Sequence, residues 1–305
     1  MTAMMLLSGL ITFSSCDGEL ELEQVVNEQF AGISRIEVDG KFVEVRYDGE
    51  NNLTEVTLDG LLESTRSGAY RIEFEKVGST LVIEVDQVGK FGTGNHRGHI
   101  YLQGPKNMDL DLENGSGAVR VFNVIAPNLE VNTGSGTVEM HLNAIENAIL
   151  HAGSGRIGVF NHQGAVDAGS GSGRIDLEGV RGLASLKASS GTIAVKNLEG
   201  ILQAEISSGN IDLSEVSEIG KIKTSSGNIT GHSVGLGPQT NFVSSSVEIF
   251  IRTFSDLSGF NFDLLSSSGK VKVGGNSATG TLKINNNSPH TILGRVSSGS
   301  IEIVN

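Results

Sequence analysis

Ten serines recur at the centre of similar short phrases: Ser116, Ser135, Ser154, Ser172, Ser190, Ser208, Ser226, Ser245, Ser268 and Ser298. A serine becomes a nucleophile only with a base within hydrogen-bond reach and donors for the oxyanion. No histidine or acid stands at a fixed offset from these ten, so their recurrence predicts backbone turns. The segment "MDLDLENG" sets Asp109, Asp111 and Glu113 at spacing two, on one strand face, where carboxylates could support hydrolysis or elimination on a polysaccharide. Leu110 and Leu112 claim the inward face there, so the acids must point outward whether or not they react. His96 and His99 are possible metal ligands, yet on a strand they face opposite sides, and no third ligand stands nearby. A calcium roll needs an aspartate after the glycines. That position holds Ala118, Thr137, Arg156, Arg174, Thr192, Asn210, Asn228, Lys270 and Ser300, with no carboxylate among them. The expectation is therefore no catalytic residue, no metal and no cofactor, with Asp109, Asp111 and Glu113 as the surface to inspect first.

The elements that carry these residues follow from the spacing of the serines. Successive separations are 19, 19, 18, 18, 18 and 18, then 19, 23 and 30. Three residues after the serine stand Val119, Val138, Ile157, Ile175, Ile193, Ile211 and Ile229; five after it stand Val121, Met140, Val159, Leu177, Val195 and Leu213. Spacing two predicts a strand with one buried face. A second alternating set precedes the corners, including Leu110 and Leu112, Leu129 and Val131, and Leu202, Ala204 and Ile206. A unit with two short strands cannot bury its apolar face alone, but parallel stacking makes a continuous core. The fold expected is all-β: a parallel β-solenoid, right-handed by the usual crossover rule, with coils of about 18–19 residues. At about 4.8 Å per coil, ten coils would make a rod of about 48 Å.

Residues 26–105 alternate apolar and polar without the serine corner and predict irregular capping coils; residues 106–305 predict the regular repeats, entered at Pro105. Longer excursions are expected between residues 231 and 295. Residues 1–15 carry a short apolar stretch ending in Ser14 and Ser15, a lipoprotein-type signal, with Cys16 as the lipidated residue and residues 16–25 as an acidic tether. That arrangement anchors a protein by lipid without spanning the bilayer. A net charge of −13 argues against nucleic acid and against docking to anionic lipid.

The phrases "ISRIEVDGKFVEVRYDG", "GPKNMDLDLENGSGAVRV", the tandem "SSGNIDL" corners and the closing "VSSGSIEIVN" resemble the bacterial head GIN, or auto-transporter adhesin, domain family over nearly all of the chain after Cys16. That resemblance implies an envelope β-solenoid, often lipid-anchored, with adhesion as its role and no catalytic residues to carry over. The leading expectation is a non-enzymatic adhesin or scaffold, attached to the outer membrane and either periplasmic or surface-exposed, whose partner is an envelope or extracellular protein or glycan. A polysaccharide lyase or hydrolase using Asp109, Asp111 and Glu113, and an envelope-stress or signalling accessory protein, are the alternatives. With no Trp, three Tyr and twelve Phe, aromatic platforms for sugars are expected to be scarce; Phe260 and Phe262 are the best late pair.

Overall fold

The computed structural model describes residues 19–65, 68–88 and 94–305. The expected signal segment, residues 1–15, and Cys16 lie outside the described residues. Within them the chain is all-β, one sheet of 17 strands with a single short 3-10 turn at Leu257–Gly259. The regular part pairs in parallel with the offset read from the serines: Leu129 lies beside Ala148, 19 residues on, and Val166 beside Ala184, 18 residues on. The pattern is coil on coil, which gives the sheet its solenoid character. Both inward series are buried throughout, from Val119 to Ile229 and from Val121 to Leu213. Each side chain packs between its counterparts one coil before and after, which is how these short units find a core.

The glycine of each corner explains the serine–glycine phrase. A Cβ at Gly136 would sit 2.0 Å from the Gly117 carbonyl oxygen, and one at Gly191 only 1.8 Å from that of Gly173. At these glycines the coils approach so closely that a Cβ would strike the carbonyl of the coil before.

A second corner lies seven residues after the serine, where Asn123, Leu142, Asn161, Gly179, Asn197, Glu215 and Ser233 all adopt left-handed φ between 53° and 70°. Asparagine tolerates that region better than most residues, and glycine pays no Cβ penalty there. The next residue points inward and is buried: Val124, Asn143, His162, Val180, Leu198, Val216 and Val234.

At both ends the spatial order departs from chain order. The coil built from Arg35–Asp39 and Glu44–Glu50 is inserted between Thr80–Gln87 with His96–Pro105 on one side and Asp109–Asn114 with Val119–Phe122 on the other. Symmetrically, Thr291–Val304 is inserted between residues 241–252 and Asn261–Val273. Antiparallel strands then close each end. Tyr70–Val77 covers Thr80–Gln87, and Glu55–Ser64 covers His96–Pro105 with Glu21–Ala31 outside it. At the far end Asn276–Ile284 covers Asn261–Val273.

Three expectations change. The stretch read as a tether reaches residue 25, but the strand Glu21–Ala31 begins within it. The expected excursions between 231 and 295 are mostly strand, and the wide serine spacing there reflects the inserted coil and the antiparallel Asn276–Ile284. Ser246, not Ser245, occupies the corner position, because Ser246 pairs with Ser298 and Ile249 with Ile301. Val247 takes the glycine place in that coil.

Candidate binding face

The outward side of the strand after each serine corner carries a series of paired charges and stacked rings. Its first coils hold Arg120 between Glu44 and Glu139, with Nε 3.0 Å from Glu139 Oε2 and Nη1 on Glu44. Burial alone would lower the Arg120 pKa, but these hydrogen bonds outweigh it and hold the guanidinium above its ordinary value. Six residues after the serine, Phe122, His141 and Phe160 stack with ring centroids 5.1 and 4.7 Å apart and planes within 16°. Arg46 caps this ladder 4.8 Å above the Phe122 ring.

Beyond Phe160 the same face opens into a groove of about 520 Å³ over Ala194. Asp176 lies on its floor, only 8% exposed, accepting hydrogen bonds from Arg156 Nε at 2.7 Å and Arg174 Nε at 2.5 Å. Lys196 donates to Glu178 at 2.8 Å, and Asp212 and His232 line the opposite wall. His232 itself leans on Phe250, with centroids 5.8 Å apart.

The acids singled out from sequence stand elsewhere. Asp109, Asp111 and Glu113 pair in register with Arg35, Glu37 and Asp39 on the strand preceding the corner. Arg35 Nη2 reaches Asp111 at 3.0 Å while its Nε holds Glu37 at 2.7 Å. Hydrogen bonding to Glu37, then attraction to Glu37, Asp111 and Asp109, raises the Arg35 pKa despite desolvation. Asp109 borders a separate shallow groove with Glu146 and Ile125, and that groove is lined by neither Asp111 nor Glu113. The structure therefore sets Asp109 and Asp111 near the Arg35 guanidinium and Glu113 toward Lys41, and does not gather the three acids in one cleft.

His96 and His99 do not converge either. His96 Nδ1 lies 2.7 Å from Ser64 Oγ, its ring against Tyr70, whereas His99 stacks on Tyr101 at 4.1 Å with Nε2 3.6 Å from Asp59. Phe262 is buried and Phe260 half-buried against the core, so neither offers an open platform.

Two buried polar residues interrupt the apolar series that follows the left-handed corner. Asn143 is satisfied: its Nδ2 donates to the Val121 carbonyl at 3.0 Å and its Oδ1 accepts from the Val124 N–H at 2.7 Å. His162 is 2% exposed, and its ring nitrogens approach the Asn143 and Ile145 main chain without reaching hydrogen-bond geometry. Burial pushes its pKa down to about 4, so the imidazole is neutral at physiological pH.

The sequence expectations rest on the positions two, three and five after the serine, and the aromatic ladder stands at position six. Phe122, His141 and Phe160 repeat at 19-residue spacing and were visible one step further on.

Residues 52–199 match the family model described as "Toastrack DUF4097". The Toastrack match runs from the antiparallel cap through the aromatic ladder to the first part of the groove, ending just after Lys196. Among solved structures, a "putative cell adhesion protein" from Clostridium sporogenes shares 13% identity at TM-score 0.23, covering 92% of this chain and 99% of that one. A "putative lipid binding protein" from Parabacteroides distasonis shares 14% identity at TM-score 0.45, covering 76% of this chain and 94% of that one. No curated protein matches.

Proposed function

We propose that this chain is a non-enzymatic envelope protein of head GIN type, an adhesin or scaffold whose rigid right-handed β-solenoid displays a long lateral face. On this reading Cys16 carries the lipid, the chain sits at the outer membrane, and its partner is an envelope or extracellular protein or glycan. The observation that carries the reading is the face itself: the Phe122–His141–Phe160 ladder and the paired charges of Arg120, Asp176 and Lys196 stand on one continuous sheet side. Side chains fixed on stacked strands keep their spacing, which favours binding over a surface that must close on a substrate. Replacing Cys16 with Ser in the full chain is expected to release the protein from the membrane fraction while leaving its fold intact. Retention of that variant in the membrane would remove the lipid anchor. Failure of the folded, anchored protein to recover any partner from envelope material would remove the adhesin role.

A further inference from the structure

We propose that the groove over Ala194 binds an uncharged saccharide chain laid along the stack of coils, an inference that rests on the display role proposed above. Three observations point to this ligand. First, the groove lies between aromatic groups: Phe160 borders it at one end, with one ring face already stacked on His141, and His232 against Phe250 borders the other. The positions Phe160, Glu178, Lys196, Ser214 and His232 follow one another at 18-residue steps. Four strand spacings separate the two ends, about 19 Å, which suits an extended chain of several units more than a single small molecule.

Second, the charges in the groove cancel. Arg156, Arg174 and Lys196 face Asp176, Glu178 and Asp212, and the buried Asp176 already takes both arginines. A strongly charged ligand would disturb these pairs, whereas hydroxyl groups can both donate to the carboxylates and accept from the cations.

Third, the groove is on a sheet face, where the backbone N–H and C=O groups are committed to neighbouring coils. An extended peptide gains its affinity from main-chain pairing at a sheet edge, which a face cannot offer. A sugar ring needs only side chains: an aromatic surface for its C–H face and polar groups for its hydroxyls. Ala194 provides the depth, since its place on neighbouring coils is held by Asp176 and Asp212.

The test is titration of the purified, folded full chain with neutral oligosaccharides, namely cello-, chito- and malto-oligomers, beside oligogalacturonate as a charged comparison. One neutral series is expected to bind, with affinity rising with length. Ala194→Arg, which fills the floor, is expected to weaken it at least about tenfold, and Asp212→Asn several-fold. Gln203→Arg, an exposed change on the strand preceding the corner, is expected to leave it unchanged. Absence of neutral binding, equal effects of Ala194→Arg and Gln203→Arg, or binding confined to oligogalacturonate and abolished by salt would each overturn the inference. Attachment of the same proteins to envelope material separates the two readings. Attachment that persists without oligosaccharide binding overturns the groove alone, and loss of both overturns the display role as well.

Discussion

Gly155 lies beneath Gly136 so closely that a Cβ on Gly155 would stand 1.6 Å from the Gly136 carbonyl oxygen. The contact is with backbone on both sides, and neither coil can shift without disturbing the next. Gly155→Ala is therefore expected to destabilise the fold by about 1–3 kcal/mol or more, as overpacking does. The exposed neighbour Ser154 meets no such constraint, and Ser154→Ala is expected to stay within about 0.5 kcal/mol. Urea unfolding of both variants checks the pair; a serine change as harmful as the glycine change would mean that the hydroxyls hold the corner.

The same contact shows why part of the fold was readable and part was not. Serine, glycine and the isoleucines three residues later recur because every coil meets identical packing, so the sequence repeats wherever the geometry does. The left-handed corner repeats as faithfully in φ, yet Leu142, Glu215 and Ser233 occupy it beside the asparagines, because exposed residues can bear a small strain in several ways. The insertion of Arg35–Asp39 and of Thr291–Val304 out of chain order left no signal, since both carry the alternation of their neighbours. For the candidate site, outward direction at Asp109, Asp111 and Glu113 followed from Leu110 and Leu112, but the arginine from residue 35 depends on that insertion. The groove depends on which side chains are small or paired across coils, which spacing alone does not reveal.

Leu142 offers a direct measure of that strain. With φ of 58° and 61% exposure, it bears the left-handed conformation without the asparagine or glycine chemistry that eases it. Leu142→Gly is expected to be stabilising or neutral, by up to about 1 kcal/mol, as relief of the Cβ clash offsets the greater entropy of the unfolded chain. A thermal melt in which Leu142→Gly is clearly less stable would show that the exposed leucine makes contacts that matter more than its backbone.

His162 should make the protein acid-sensitive. Its pKa falls from the ordinary 6.5 to about 4 on folding, so the unfolded chain binds the proton more readily than the native one. The stability is complete above pH 6.5 and is lost progressively as pH falls from 6.5 through 4, by about 3 kcal/mol in all. The ionisable groups lining the adjoining groove are Arg181 and Glu199, which pair with each other at 3.0 Å. His162→Val, which restores the residue type found at positions 124, 180, 216 and 234, should flatten this segment of the pH profile. An unchanged profile would place the acid sensitivity elsewhere.

Tyr47 gives the opposite sign. It is fully buried in the first inserted coil, and its hydroxyl donates to the Pro105 carbonyl at 2.6 Å. Burial holds its phenol pKa well above the ordinary 10, so the native state keeps a proton that the unfolded chain gives up. Its contribution is present below pH 10 and declines as pH rises beyond that. Tyr47→Phe is expected to remove about 1–2 kcal/mol at neutral pH by orphaning the carbonyl, and to soften the alkaline decline. Equilibrium unfolding at pH 7 and pH 11 distinguishes these effects.

Ile301 tests the inserted coil at the other end. The outermost strand of a sheet packs against one neighbour only, so its side chains are cheap to truncate. Ile301 is instead fully buried, in a strand paired on one side with Ile249 and on the other with Val271. Ile301→Ala is expected to cost about 2–5 kcal/mol, as a cavity in a packed core does. Leu282, earlier in sequence, lies in the outermost antiparallel strand and is only partly buried, so Leu282→Ala should cost less than about 1 kcal/mol. If the two substitutions cost the same, Thr291–Val304 does not form an interior coil, and the parallel order of 241–252, 291–304 and 261–273 fails with it.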